Sequence, residues 1–386
     1  MSALPLFPVT TVGSWPRPPQ LAEAVRQRRR GRIDRAELAR IADAAVVDFL
    51  RLQEAIGCDI VTDGELRRDN FYSFVAQKLA GVRLMTLAEM LDVVEDKAGF
   101  ERLLQTLDVP AYSISSPICV GRVERGEPLT VDDLRFVKRH TDRSVKITLP
   151  GPYLLTRAMY VPELSKPFYS TKEDLATDVV ALLRAELAEL TQEGVDFVQF
   201  DEPVLTELAF APGNTRTFMC AALAARNDPA EELEFAVSLI NQVVHGFRDA
   251  ARLGVHVCRG NWSRDESTLL SGSYLPLAPY LARLQVDQLV LEYATERAGD
   301  LMRFGPKELG VGVVNPRTSA VETTAVIRDA IEDALRFYAP EEIFLNPDCG
   351  FGTFASRPMN SGETAAAKLR AIVQATAELR SGIPPA

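Results

Sequence analysis

Short apolar runs rich in β-branched residues alternate along the chain with longer segments whose apolar residues recur at helical spacing. A short apolar run bounded by turn residues is typical of a strand that is buried on both faces. The pattern therefore predicts a parallel sheet with helices packed outside it. Nine runs qualify as strands: Val9–Gly13, Asp59–Gly64, Pro117–Val120, Ser144–Leu149, Phe197–Asp201, Val255–Cys258, Gln288–Glu292, Leu309–Val314 and Glu342–Asn346.

The segments between these runs predict amphipathic helices, most clearly at Leu175–Leu190 and Phe235–Leu253. Nine strands in such an alternation predict a (β/α)8 barrel of the α/β class with one strand to spare. An open doubly wound sheet fits less well, because the chain has no glycine-rich phosphate loop early in its sequence.

The spare strand is assigned to Pro117–Val120, and the Gly121–Glu127 segment that follows it predicts an appended hairpin. Residues from about 85 to 115 have a helical pattern, so we expect residues 85–130 to form an insertion or lid. We expect residues 1–386 to form a single domain.

The composition and net charge limit the kinds of molecule that the protein is expected to bind. The chain has 386 residues, of which 47% are hydrophobic and 25% are charged, and its formal net charge is -10. An acidic balance argues against nucleic acid or an anionic membrane as the main partner. The sequence has no apolar stretch of spanning length and no signal-peptide pattern, and its five cysteines are scattered. We therefore expect a cytoplasmic protein with free thiols.

Polar and turn residues cluster where the predicted strands end. In a barrel of this class the active site lies at the carboxyl ends of the strands, so residues distant in sequence are expected at one rim. The clusters are Gly13-Ser14, Asp63-Gly64-Glu65, Pro150-Gly151-Pro152, Asp201-Glu202-Pro203, Cys258-Arg259-Gly260, Glu292, Asn315-Pro316-Arg317 and Asp348-Cys349-Gly350.

A candidate metal site stands out among these clusters. His256 and Cys258 are two residues apart on one strand, so their side chains point to the same face. Cys349 lies in a distant strand-end turn, and Glu292 is a carboxylate in an otherwise apolar strand. Mixed sulfur and nitrogen ligands are typical of zinc, and a catalytic zinc keeps one position open for a substrate. The chemistry expected of such a site is activation of a thiol.

Each member of this set also has an ordinary structural interpretation, because a single cysteine in an apolar strand is usually a packing residue. The pairing of His256 with Cys258 is what favours a metal. We assign Cys58, Cys119 and Cys220 to packing and His140 and His245 to structural roles, since none of them has ligand spacing.

Four further residues are candidates for binding a substrate. Glu65 and Asp201 are carboxylates at the predicted rim, where they can hold an ammonium group by charge-assisted hydrogen bonds. Gly13 and Ser14 end the first strand and can offer backbone N–H groups and a hydroxyl to a carboxylate. The competing interpretations are a helix cap for the acidic strand ends and a tight turn for Gly13-Ser14.

Taken together, these segments resemble the catalytic barrel of the cobalamin-independent methionine synthase family. The resemblance runs from near residue 10 to about residue 355, and its motifs are specific only in combination. The matching segments are Thr11-Val12-Gly13-Ser14-Trp15-Pro16, Asp63-Gly64-Glu65, Gly151-Pro152, Gln199-Phe200-Asp201-Glu202-Pro203, His256-Val257-Cys258, Glu292 and Asn346-Pro347-Asp348-Cys349-Gly350.

The resemblance implies a (β/α)8 unit that holds zinc and methylates the thiol of homocysteine to give methionine. Carried over to this sequence, the zinc ligands are His256, Cys258, Glu292 and Cys349. The amino-acid end of homocysteine is expected at Gly13, Ser14, Glu65 and Asp201. No further catalytic residue is assigned.

Two departures from the family pattern bear on the methyl donor. Members that use polyglutamyl methyl-folate carry a tryptophan after the Gly-Pro turn, and Gly151–Ala158 contains none. They also carry a histidine shortly before a Ser-Pro-Arg segment, and Val313–Arg317 contains none. The chain is also too short for the second, N-terminal half of the full-length synthases. We therefore expect a short form whose donor is not polyglutamyl methyl-folate, with a methylated corrinoid or corrinoid protein as one candidate.

Other functions remain open on the sequence alone. One is zinc-dependent alkyl transfer to another thiol, as in the epoxyalkane:coenzyme M transferases, whose sulfonate substrate requires an arginine such as Arg17, Arg67 or Arg259 near the thiol. A second is a non-catalytic module that binds zinc or a corrinoid protein. A third is chemistry like that of uroporphyrinogen decarboxylase, a barrel that has no need of the His256-Cys258 pair.

Overall fold

The computed structural model describes residues 4–93, 97, 115–210, 228–354 and 358–382. Seven parallel strands form one sheet in the order β1-β4-β5-β6-β7-β8-β9, and β2 and β3 form a separate antiparallel pair. The strands are β1 (Ile60–Val61), β2 (Leu79–Thr86), β3 (Ser115–Arg125), β4 (Ser144–Pro150), β5 (Phe197–Asp201), β6 (Arg252–Val257), β7 (Gln288–Leu291), β8 (Glu308–Val314) and β9 (Ile343–Pro347).

The segment that precedes the first helix joins the two edges of the seven-stranded sheet. Val9 forms a parallel bridge with Leu345 of β9, and the Thr10 N–H donates to Leu345 O at 3.0 Å. On the other side, the N–H groups of Asp59 and Ile60 donate to Val9 O at 2.9 and 3.2 Å. The sheet thus curls into a barrel, which confirms the predicted (β/α)8 class.

Helices connect the strands on the outside of the sheet. They are α1 (Pro19–Arg29), α2 (Arg35–Ile56), α3 (Leu87–Leu91), α4 (Val131–Lys138), α5 (Pro152–Met159), α6 (Pro162–Ser165), α7 (Lys172–Gln192), α8 (Val204–Phe210), α9 (Pro229–Val244), α10 (Ala278–Leu281), α11 (Thr324–Leu335) and α12 (Gly362–Gly382). Among the described residues, no helix is both long enough and apolar enough to cross a bilayer.

Helix α7 contains the predicted Leu175–Leu190 helix, and its start is set by a capping box. The Thr171 hydroxyl accepts the Asp174 N–H, and the Asp174 carboxylate accepts the Thr171 N–H. These two bonds satisfy backbone donors that the first helical turn leaves unpaired. Behind the cap, the face that carries Leu183 and Leu187 is fully buried, as the periodicity predicts.

The prediction of a helix over Phe235–Leu253 is wrong at its C-terminal end. Helix α9 ends at Val244, and strand β6 already begins at Arg252. The chain reverses at Gly246, whose φ of 86° favours glycine. The apolar residues beyond this turn belong to a loop and a strand, which helical periodicity alone does not distinguish.

An appended hairpin is present, but its strands differ from the prediction. Strand β3 pairs with β2, which precedes it in sequence, so the hairpin predicted within Gly121–Glu127 is wrong. Gly81 of β2 makes this pairing possible, because a Cβ there would lie 2.0 Å from Arg122 O. Helix α3 bears out the helical pattern at its own position. Residues 94–96 and 98–114 of the predicted lid lie outside the described residues.

Candidate functional site

Three of the four predicted metal ligands meet at the carboxyl ends of β6 and β9. His256 lies on β6 and Cys258 follows it, whereas Cys349 follows β9. Their potential ligand atoms all lie within 4.8 Å of one another, and all three side chains are buried. Residues more than ninety positions apart in sequence are therefore placed at ligand spacing by the barrel.

The hydrogen bonding of His256 leaves one ring nitrogen available to a metal. Its Nδ1 lies 3.0 Å from Val290 O, and since a carbonyl only accepts, Nδ1 carries the proton. The Nε2 atom is buried without a hydrogen-bond partner among the described residues, and in the neutral ring its lone pair is open to a metal. An unpaired buried nitrogen is costly, so this lone pair fits a metal ligand.

The two thiols differ in pKa. The Cys258 and Cys349 thiols lie within 4.8 Å of each other, and the proximity of Cys349, together with the His256 imidazole, lowers the pKa of Cys258 against the effect of burial. The same proximity, with burial, raises the pKa of Cys349 well above its ordinary value. A close pair of thiols in which one is readily ionised is the donor set that a soft divalent cation prefers.

Glu292, the fourth predicted ligand, is buried next to this cluster but is engaged elsewhere. Its carboxylate accepts the Arg259 N–H at 3.2 Å and Arg297 Nη2 at 3.2 Å. It also lies 3.7 Å from Arg317 Nη1. Glu292 is therefore held by the Arg259 backbone and the side chains of Arg297 and Arg317, and it is not part of the three-residue cluster.

Asp348 is a residue of the site to which the sequence analysis gave no role. Its Oδ1 accepts the N–H groups of Tyr293 and Ala294 at 2.9 and 2.8 Å. Its Oδ2 lies 3.3 Å from Arg317 Nη2. Asp348 thereby ties the loop after β7 to the turn that carries Cys349. The position of Asp348 directly before the candidate ligand Cys349 is the sequence feature that could have identified it as a residue of the site.

The predicted substrate residues face the same pocket as the metal cluster. Ser14, Glu65 and Asp201 line this pocket together with His256, Cys258 and Cys349, and we call it the reaction pocket. Gly13 does not line it but supports it, since a Cβ at that position would lie 2.3 Å from Glu65 Oε1. The barrel thus brings carboxylates and thiols from four different strand ends to one cavity.

Glu65 is held in an uncommon backbone conformation. Its φ is 55°, and its N–H donates to Asp63 Oδ1 at 3.0 Å. The Thr148 hydroxyl donates to Glu65 Oε1 at 2.9 Å. Burial raises the pKa of Glu65 to about 7, although the nearby Arg68 opposes this shift. A strained, buried carboxylate of this kind is typical of a binding site.

Asp201 is oriented by a short chain of polar side chains inside the barrel. Gln199 Nε2 donates to Asp201 Oδ1 at 2.8 Å, and Lys146 Nζ donates to Gln199 Oε1 at 3.1 Å. Lys146 also donates to the Thr11 carbonyl. Because Lys146 Nζ donates to the oxygen end of the Gln199 amide, the amide N–H is aimed at Asp201.

Lys146 gives a prediction on stability. Burial lowers its pKa to about 7, although Asp201 and Glu65 oppose this shift. An unfolded lysine titrates near 10.4, so from pH 7 to 10 the unfolded chain binds a proton that the folded chain does not. We expect the free energy of unfolding of the wild type to rise with pH relative to Lys146→Met, by up to about 1.4 kcal/mol per pH unit.

Urea unfolding at pH 7, 8 and 9 measures this effect. Lys166→Met, at an exposed position, is the matched control and should follow the wild-type profile. Parallel profiles for the wild type and Lys146→Met would show that Lys146 is charged in the folded protein over this range.

Aromatic and amide side chains that the sequence analysis left out complete the reaction pocket. They are Phe71, Tyr72, Asn261, Trp262 and Phe354. Asn261 Nδ2 donates to Gly350 O at 2.7 Å and so joins the two cysteine loops. The position of Asn261 and Trp262 in the loop after Cys258 could have marked them as pocket residues in the sequence. No feature of the sequence marked Phe71 or Tyr72 in this way.

The arginines that follow the strands have structural partners and do not line the reaction pocket. Arg68 Nη1 donates to Thr148 O at 2.9 Å, and Arg259 Nη2 donates to Gly272 O at 2.8 Å. Arg317 is paired with carboxylates, as described above. The arginine that a sulfonate substrate would require is therefore absent from the described lining of this pocket.

Comparison with known proteins gives the family. The model of the catalytic domain of cobalamin-independent synthases matches residues 7–378. The methionine synthases of Sulfurisphaera tokodaii and Saccharolobus solfataricus are each 30% identical to this chain, over 91% of its length and 87% and 90% of theirs. In fold, the chain resembles a B12-independent methionine synthase from Shewanella sp. W3-18-1 solved with selenomethionine, with a TM-score of 0.72, 23% identity and 98% of each chain covered. The chain therefore belongs to the cobalamin-independent methionine synthase family.

Proposed function

We propose that this protein transfers a methyl group to the sulfur of homocysteine and forms methionine at a zinc site. The observation that carries the proposal is one buried pocket that is lined both by His256, Cys258 and Cys349 and by the carboxylates of Glu65 and Asp201. The first group suits a thiolate-binding metal, and the second suits an ammonium group. An amino acid with a thiol side chain meets both requirements.

The residues at the cluster fit zinc. His256 offers a free Nε2 lone pair, and Cys258 and Cys349 offer thiolates within reach of the same ion. We propose Glu292 as a fourth ligand, which would have to turn its carboxylate from Arg297 or Arg317 toward the cluster. Zinc bound there would lower the pKa of the substrate thiol so that a thiolate is present at neutral pH.

The remaining residues bind and orient the amino acid. We assign the substrate ammonium group to Glu65 and Asp201, and the substrate carboxylate to the backbone and hydroxyl of Gly13-Ser14. Held in this way, the sulfur is directed toward the cysteine end of the pocket. In the reaction the thiol loses its proton, the sulfur forms a bond to the methyl carbon, and the donor leaves with the electron pair of the broken bond. Positioning of the two reactants is the main contribution of the chain.

Gly13 supplies a test of the proposed substrate site. In Gly13→Ala the new Cβ would lie 2.3 Å from Glu65 Oε1, so the carboxylate must move. We expect the affinity for homocysteine to fall by about ten-fold or more, because a charge-assisted hydrogen bond is lost. Calorimetry measures the change. Gly382→Ala, where a Cβ meets open space, is the control, and equal affinity of both variants would argue against Glu65 as a substrate contact.

Alkyl transfer to coenzyme M is less well supported. A sulfonate needs a cationic partner near the thiol, yet Arg17, Arg67 and Arg259 do not line the reaction pocket. Arg67 is paired with Asp43 and Asp133. The carboxylates that do line the pocket would repel a sulfonate, so homocysteine is the better acceptor.

The methyl donor remains a prediction from the sequence. The two departures from the folate-using pattern argue against polyglutamyl methyl-folate. The matched family is described as cobalamin-independent, so the comparisons lend no support to a corrinoid donor or corrinoid-protein partner.

Product analysis tests the proposed function. The purified protein is incubated with homocysteine and, in separate reactions, methyl-folate with one or three glutamates and methylcobalamin, and methionine is measured by mass spectrometry. Coenzyme M replaces homocysteine in a parallel series. Methionine from any donor supports the proposal. Methylated coenzyme M without any methionine would contradict it.

A further inference from the structure

A second cavity, outside the reaction pocket, has arginines as the main charged residues of its lining. It lies between α1, α2 and the hairpin strand β2 and has a volume of about 1020 Å³. We call it the arginine cavity. Its only lining carboxylate among the described residues is that of Asp69, whereas six arginines face it: Arg17, Arg28, Arg29, Arg35, Arg67 and Arg68.

Three of these arginines have no carboxylate within ion-pair distance in the described part of the chain: Arg17, Arg28 and Arg29. Arg35 is 3.9 Å from Glu127 and is largely exposed, a geometry in which an ion pair contributes little. Arg67 is paired with Asp43 and Asp133, and the buried Arg68 lies 4.0 Å from Asp63. The cavity therefore keeps a surplus of positive charge, although the whole chain has a net charge of -10.

Burial is the main effect that opposes the positive charge of Arg17. Burial and the neighbouring Arg29 lower its pKa to about 10, against the attraction of Asp69 and Glu65. Like charges held together in a partly enclosed space repel one another, and the attraction of a bound anion removes that cost. Guanidinium groups are also the side chains best suited to planar, bidentate binding of carboxylate or phosphate.

The arginine cavity is adjacent to the reaction pocket. Ser14 lines the reaction pocket, and Arg17, three positions later, lines the arginine cavity. In the same way, Glu65 lines the reaction pocket, and Arg68, three positions later, lines the arginine cavity. Its volume is that of a small-molecule site, which typically measures about 300–1,000 Å³. Nucleic acid would need a longer basic surface than this cavity offers, and the acidic net charge also opposes it.

We propose that the arginine cavity binds a small molecule that carries two or more carboxylate or phosphate groups. The proposal concerns binding alone and does not depend on methyl transfer. A dianion can contact arginines from α1 and from the loop after Glu65 at once, whereas a monoanion reaches only part of the set. Binding is expected to weaken with added salt, because the walls of the cavity are open to solvent.

Calorimetry with pyrophosphate and with tricarballylate, a compound with three carboxylates, tests the proposal, and acetate serves as the monovalent comparison. Binding of pyrophosphate alone assigns a phosphorylated ligand, binding of tricarballylate alone assigns a polycarboxylate, and binding of both assigns recognition by charge. No binding by either probe at 0.1 M salt or below would overturn the proposal.

Variants with a matched control locate the site. Arg28→Gln/Arg29→Gln removes two exposed charges from the cavity wall, and we expect the affinity for the binding probe to fall about ten-fold or more. Arg30→Gln/Arg32→Gln removes the same number of exposed charges nearby, but neither residue lines the cavity. Equal weakening in both double variants, or unchanged binding in the first, would show that the cavity is not the site. Homocysteine binding, measured on the same samples, reports on the reaction pocket separately.

Discussion

Replacing Cys349 by serine is expected to abolish stable zinc binding. The Cys349 thiol lies with a ring nitrogen of His256 and the Cys258 thiol inside one 4.8 Å cluster, and a serine hydroxyl is a far weaker ligand for zinc than a thiolate. Residues that merely support a ligand change metal affinity by about 10–100-fold. We therefore expect loss of a ligand itself to cost more than about 100-fold, as measured by zinc competition with a chromophoric chelator.

The control for Cys349→Ser is Cys119→Ser. Cys119 is also a buried cysteine, and its thiol donates to Gly121 O at 3.2 Å, a bond that serine can also make. This variant should keep the zinc content of the wild type. Full zinc occupancy in Cys349→Ser, with its fold intact by circular dichroism, would remove Cys349 from the ligand set.

Asp201→Asn is expected to impair recognition of the substrate amine and to leave zinc in place. Asp201 is buried at the rim of the reaction pocket and accepts a hydrogen bond from Gln199, which asparagine can still accept through its oxygen. The substitution removes the negative charge that we assign to the ammonium group of homocysteine. Loss of one such contact weakens binding by about ten- to a hundred-fold.

A substrate analogue separates this effect from general damage to the site. 4-Mercaptobutanoate has the thiol and carboxylate of homocysteine but no amine, so its affinity should change little in Asp201→Asn. Asp249→Asn, at an exposed position, is the control for loss of an acidic charge. Equal weakening of homocysteine and the analogue would show that Asp201 does not contact the amine.

The fold could be predicted from the sequence because each strand of the barrel is a short apolar run that ends in polar or turn residues. The pattern even placed the end of β5 at Asp201, as the structure does. The pairing of β2 with β3 could not be predicted in this way. It joins Leu79–Thr86 to a strand that starts at Ser115, and hydrophobic periodicity carries no information on which distant strands pair.

At the candidate site, the i, i+2 spacing of His256 and Cys258 fixes a shared face, so this part could be predicted from local geometry. The arginine partners of Glu292 could not, because Arg297 and Arg317 reach it through loops whose paths the sequence does not specify. The positive φ of Glu65 could not be predicted from the sequence either. It occurs together with the bonds of Glu65 to Asp63 and Thr148, in a residue type that does not prefer that conformation.

Zinc analysis of the purified protein, combined with homocysteine calorimetry in two buffers of different ionisation enthalpy, tests whether a zinc-bound thiolate forms. The account predicts one zinc per chain and release of a proton when homocysteine binds, because the bound thiol becomes a thiolate. It also predicts loss of that proton release after the zinc is removed by a chelator, and its return when zinc is restored. Protein without zinc, or zinc-loaded protein that binds coenzyme M but not homocysteine, would contradict the account.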